Sequence, residues 1–279
     1  MTRTPVGIDW TTIGRPIDLR VSTNLAIVVV SVLTWLSVAL AHALLGRVWH
    51  QAIQAGLAAA MATFLAWAFA RELDPDRQAS AFLAAAGGLA SNLLLGNPHL
   101  VLLLWFMMAI RFINQSTGSP PGILDYGGFY GIKLWLGGAT HWSLPLLALP
   151  TVLLSDLDRF PRWIRIALPA ALPLATIAFG LLRGWHLRLP SIPQTETAVL
   201  AIILIGTVPI ILSYRTVRAV GDQSGTPLRP HRVQWGIGWA AAAGVVLLLT
   251  GGVSLGDLGP LWAALAGAEI GWLVQTLRK

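Results

Sequence analysis

The chain has no cysteine in its 279 residues. That excludes disulfides, thiolate catalysis and Cys-ligated metals, and leaves the redox compartment open. Charge is scarce as well. Charged residues make up 11% of the sequence, less than half of the roughly 25% of an ordinary soluble domain. Lysine is nearly missing: Lys133 and Lys279 are the only two, beside seventeen arginines. No run of five basic residues occurs, so the net charge of +7 does not form the basic stripe of a nucleic-acid reader. The His-Glu-x-x-His and Walker signatures are missing. So are the paired NDxxDxxxD segments of intramembrane prenyltransferases, the DGxxAR segment of CDP-alcohol phosphotransferases and a PSGH-like phosphatase segment. Neither a direct nor an inverted repeat is visible.

What is present is apolar. Hydrophobic residues make up 55% of the chain and mean hydropathy is +0.68. This composition rules out a soluble globular enzyme and a disordered chain, and predicts an all-α polytopic helix bundle in a membrane. A span needs about 20 apolar residues, because the hydrocarbon layer is about 30 Å thick and each residue rises about 1.5 Å. Apolar runs cover 24–46, 51–70, 79–96, 100–113, 164–182, 198–213, 234–253 and 258–277. About eight full spans are therefore expected. The first run exceeds the 7–15 apolar residues of a signal peptide and reads as a retained helix.

Segment 127–155 is apolar but interrupted by Lys133, Gly137, Gly138, His141, Pro145 and Pro150. Cytoplasmic loops carry the excess of Lys and Arg, and this rule arbitrates. If 127–155 enters and returns, fifteen basic residues fall on one side and only Arg47, Arg183 and Arg188 on the other. The reading is a broken or re-entrant hairpin at 127–155, with both termini cytoplasmic. Irregular backbone at membrane depth survives only when covered by protein or water, so the hairpin belongs inside the bundle. Residues 1–23 form a cytoplasmic tail, 24–277 a single transmembrane domain and 278–279 the cytoplasmic end. The plasma membrane is the expected location. Trp49, Trp67, Trp142, Trp163, Trp185, Trp235 and Trp262 lie near span ends and read as an interfacial belt. Gly87, Gly88, Gly251, Gly252 and the GxxxG pair Gly267 and Gly271 read as helix contacts within one chain.

Two groups carry possible chemistry. Glu269 sits mid-span, where an ionised carboxylate costs several kcal/mol unless it is paired, protonated or wet. Lys133 is its expected partner and Arg111 the next. A cavity there would serve an ion pathway, a small ligand or a lipid. The second group is Arg71-Glu72-Leu73-Asp74-Pro75-Asp76-Arg77. Asp74 and Asp76, with Asp125 and the phosphate-clamping Arg111, would suit Mg²⁺ or Mn²⁺ and a lipid-linked phosphate at the cytoplasmic face. The plainer expectation makes Asp74 a helix N-cap, with Pro75 at the first helical position. Histidines 42, 50, 99, 141 and 186 fall toward the outer face, with no i, i+4 metal spacing. Segments 116–121 and 221–227 read as turn-rich loops, the latter mobile. Three functions follow: transport or ligand binding around Glu269 and Lys133, a metal-dependent membrane enzyme, or a structural subunit of a membrane complex. Whether the chain is an enzyme stays open. The bilayer is the sure partner, and nucleic acid is not one. A cofactor, Mg²⁺ or Mn²⁺, enters only with the enzyme.

Overall fold

The computed structural model describes residues 11–14, 17–139, 143–155, 174, 177–178, 181–182, 194–222, 224–250 and 252–278. Among them every regular element is a helix. In chain order these are α1 (Ser22–Leu44), α2 (Trp49–Leu73), α3 (Gln78–Leu95), α4 (Leu100–Asn114), α5 (Ile123–Ala139), α6 (Leu144–Leu154), α7 (Gln194–Ser213), α8 (Pro230–Leu249) and α9 (Gly259–Leu277). The helices end where the backbone turns left-handed, at Gly46 and Gly96, conformations glycine adopts without a Cβ clash. Others begin on prolines whose missing N–H has no partner to lose at a first turn, as at Pro230 and Pro260.

Four helices, α1, α2, α3 and α8, are long and apolar enough to cross a membrane. The runs at 100–113 and 198–213 form shorter apolar helices. The 15 residues of α4 span about 22 Å. The run at 164–182 lies almost wholly outside the described residues, as do Arg159, Arg162, Arg165, Arg183, Arg188, His141 and His186.

Helices α2, α3 and α9 form one packed group, with α1 against α2. Helices α4, α5, α6 and α8 form a second, and α7 joins the two by packing on α8 and α9. The small-residue stripe of α9 makes the first group close. Gly267 and Gly271 lie against Ser80 and Ala84 of α3, and a Cβ on either would come within 2.9 Å of them.

The hairpin expected at 127–155 is two helices, α5 and α6, and it begins at Ile123. Its feet meet through the Tyr126 and Ser155 hydroxyls at 2.8 Å. Its turn is held at the far end by Ser143 and Thr250, 3.2 Å apart. The chain thus leaves and returns to the same end of the bundle. An aromatic wall fixes the hairpin on α4. Trp105 stacks on Phe129 at 5.2 Å and leans on Trp239 at 5.8 Å, while the Trp239 indole donates to Leu147 O at 3.1 Å.

Of the expected tryptophan belt, Trp142, Trp163 and Trp185 lie outside the described residues, and the other four divide. Trp49 and Trp235 are exposed, but Trp67 and Trp262 are buried core residues. Gly244 opens the space that Trp262 fills, since a Cβ there would meet its ring at 2.6 Å. Burial of that indole follows from a glycine eighteen residues earlier, not from its place at a span end.

Candidate functional site

One end of the bundle gathers most of the polar groups. Loop 74–77, loop 115–122, the segment 214–229 and residues 11–13 meet there. Glu72, on the last turn of α2, is 2% exposed. Arg111 on α4 donates through Nε to Glu72 Oε1 at 2.9 Å and through Nη1 to Ile13 O at 3.0 Å. Asn114 Nδ2 donates to Glu72 O at 2.7 Å. Gln115 then takes a left-handed turn, φ 50°, which ends α4. Loop 116–122 is largely covered, with Ser116, Thr117 and Asp125 all buried.

Each candidate metal ligand has protein donors on it. Asp125 accepts from Thr11 Oγ1 at 2.5 Å, from the Thr12 amide at 2.8 Å and hydroxyl at 3.2 Å, and from the Gly122 amide at 2.6 Å. Asp76 accepts from the Arg218 amide at 3.0 and 3.1 Å and the Ala219 amide at 2.8 Å. Asp74 Oδ1 accepts from Arg77 Nη1 at 2.9 Å and from the Tyr214 hydroxyl. Arg77 also donates to Gln275 Oε1 at 2.6 Å and covers the Tyr214 ring at 5.5 Å. Among the described residues no three His, Asp or Glu side chains gather as a metal-holding set.

The N-cap expected at Asp74 is not formed. Asp74 lies at the C-terminal end of α2, and α3 starts at Gln78 without a side-chain cap. Its carboxylate is drawn instead into the tertiary link with Tyr214. Burial raises its pKa, against the Tyr214 hydrogen bond, the Arg77 charge and the Ser80 hydroxyl. Burial, then the Asp74 charge, raises the Tyr214 hydroxyl too, so it stays a donor. Segment 221–227, expected as a mobile loop, closes on itself: Gly221 N donates to Thr226 O and Leu228 N to Ala219 O, both at 2.9 Å. Ser224 seats against Gly118, which is left-handed at φ 84°.

The expected pairing of Glu269 with Lys133 does not occur. Helix α5 packs on α4 and α6, whereas α9 packs on α2, α3, α7 and α8. Lys133 is fully buried with its ammonium 5.0 Å from the Tyr130 ring centre. Arg111 is bound to Glu72 and is not the partner of Glu269 either. Glu269, half-buried, accepts one side-chain hydrogen bond, from Thr207 Oγ1 at 3.1 Å. Its carboxyl lies over Gly206, where any Cβ would collide with it. Three residues further on, Pro209 lies inside α7. Lacking an N–H, it gives no i→i−4 bond to the carbonyl of Ile205.

Sequence reasoning missed Glu72, Tyr214 and Thr12. Only Glu72 carried a signal, as an acid within an apolar helix end. It also passed over Gly252-Val253-Ser254-Leu255-Gly256, which has the Gly-x-Ser-x-Gly spacing. There Ser254 Oγ donates to Asp257 Oδ2 at 2.7 Å, in a turn between two helices and not at the strand-to-helix elbow that exposes such a nucleophile. Comparison with protein-family models, with curated proteins and with solved structures gives no match. The site rests on its own geometry.

Proposed function

We propose that this is a multi-pass protein of the cytoplasmic membrane, with about eight full spans plus the α5–α6 hairpin and both termini on the cytoplasmic side. It binds or moves a proton, cation or small polar ligand through the bundle, and Glu269 is the contact. The supporting observation is the carboxyl of Glu269, mid-helix in α9 with, among the described residues, a single hydroxyl donor and no basic side chain on it. Ionisable groups at this depth are expensive to retain and mark pathways or binding sites by default. Gly206 supplies the room. Lys133 belongs to a separate buried contact on the hairpin. The sharing of one polar end by residues 11–13, the loops at 74–77 and 115–122, segment 214–229 and Gln275 supports the topology. The arginines of that end accord with a cytoplasmic face.

The test uses a hydrophobic carbodiimide, which modifies protonated carboxyls at membrane depth. The expected result is an adduct on the peptide bearing Glu269 that increases as pH falls. Glu269→Gln should abolish it, together with pH-driven proton uptake in proteoliposomes. Thr207→Val should change the pH at which labelling is half complete. Absence of an adduct on Glu269 at every pH, or proton uptake unchanged in Glu269→Gln, overturns the reading.

A further inference from the structure

Two sets of arginines contrast at the polar end, apart from Arg71 over Trp67 and Arg232 on the Ile113 and Leu154 carbonyls. Arg77 and Arg111 are partly buried and ion-paired, with Asp74 and Glu72. Arg215, Arg218 and Arg229 are exposed, and no acidic side chain pairs with them among the described residues. His231 beside them is exposed too. The acids nearby do not neutralise them. Asp76 faces the backbone amides of Arg218 and Ala219, and Asp222 is the only acid on segment 214–232.

These three arginines also share a depth. Arg215 lies two residues past the end of α7, and Arg229 is the residue before α8. Arg218 begins the turn between them. That turn is tied at several points: residues 220 and 227 form an antiparallel bridge, Asp76 accepts from the amides at its base and Gly118 seats Ser224. Two exposed apolar side chains flank the charges, Val220 at 50% and Trp235 at 57%. Trp235 lies on the first turns of α8, where an indole suits the membrane interface. A fixed row of unpaired guanidinium groups at helix ends, with an apolar tip and an interfacial tryptophan, complements a negatively charged lipid surface.

We infer that the rim formed by Arg215, Arg218, Arg229 and His231 docks the headgroups of anionic phospholipids. The turn's bridge and the Asp76 contacts at its base reduce the conformational freedom to be lost when a headgroup binds. Each arginine near an anionic surface contributes roughly fivefold to affinity. The attraction is screened as salt rises.

The full-length chain in phosphatidylcholine-like micelles, titrated with phosphatidylglycerol, provides the test. The readout is the apparent affinity obtained from the rise in unfolding midpoint. Replacing Arg215, Arg218 and Arg229 together by Gln should lower that affinity by roughly fivefold per arginine and leave the midpoint without phosphatidylglycerol unchanged. Lysine at the same positions should keep it. Arg47→Gln, exposed at the opposite end of the bundle, should have no effect. If the triple glutamine variant does not fold, Arg229→Gln alone is read against Arg229→Lys. Equal affinity in the glutamine and wild-type chains overturns the inference, as does an equal loss in Arg47→Gln. So does the same stabilisation by soluble glycerol phosphate, which would indicate a free-anion site. None of these variants touches Glu269, so the two proposals fail independently.

Discussion

Arg111 holds three parts of the chain at once, because one guanidinium serves the end of α2 through Glu72 and the N-terminal segment through Ile13. Glu72 is almost wholly enclosed. Removing the arginine alone therefore takes a charge-assisted hydrogen bond from a buried carboxylate, a loss of about 1.5–3 kcal/mol. Arg111→Met should lower the unfolding midpoint accordingly in a thermal assay. Asp74 gives a pH signature. Its folded-state pKa lies above the ordinary 3.8, so the folded chain holds that proton more tightly than the unfolded one. Stability from this group is complete below 3.8 and declines as pH rises through the window above it. The unfolding midpoint of the wild type should fall more steeply over that window than that of Asp74→Asn. At this scale the sequence showed which residues are costly and not what they bind. Glu269 stood out as an acid in an apolar run. Its partner Thr207 lies 62 positions away, beyond any local rule. Asp74 satisfied the local pattern of a cap, but the hydrogen bond from Tyr214, 140 positions on, decided its place.

Helix by helix, glycines divide into those that permit contact and those that merely occupy positions. A Cβ on Gly88 of α3 would meet Ala62 O and Ala66 Cβ at 2.6 Å, and backbone does not yield easily. Gly131 of α5 has nothing within 4 Å of its added Cβ. Gly88→Ala should therefore destabilise by about 1–3 kcal/mol through overpacking. Gly131→Ala should be neutral or gain up to about 1 kcal/mol from helix propensity. Paired thermal unfolding curves separate the two. Helix positions were legible because an apolar run bounded by Gly, Pro or Arg has few other solutions in a membrane. The hairpin was legible from the same runs together with charge counting. Which face of each helix is buried was not, because nearly every face is apolar. The buried Trp67 and Trp262, expected at the interface, are the result.

For the molecule as a whole, the alternation of helix ends makes a statement about sides. Ser224 lies on the turn of the polar end and Ser254 between α8 and α9 at the other, both exposed. Since the chain has no native cysteine, Ser224→Cys and Ser254→Cys give clean single labels. An impermeant maleimide added to intact cells should reach Ser254→Cys and leave Ser224→Cys unlabelled until the membrane is opened. The opposite pattern would invert the topology. The polar end was foreseeable as a concentration of arginine, but its division into an ion-paired interior and an unpaired rim was not, since that depends on which acids the fold delivers. The aromatic wall has an optical consequence. Trp105 and Trp239, with ring centres 5.8 Å apart, are close enough for their transitions to couple, and Phe129 of the hairpin completes the stack. Both indoles lie off the hairpin, on α4 and α8, but Phe129 stacks on one and Leu147 O accepts from the other: departure of the hairpin would alter the asymmetric near-ultraviolet band that the indoles share, with helicity unchanged.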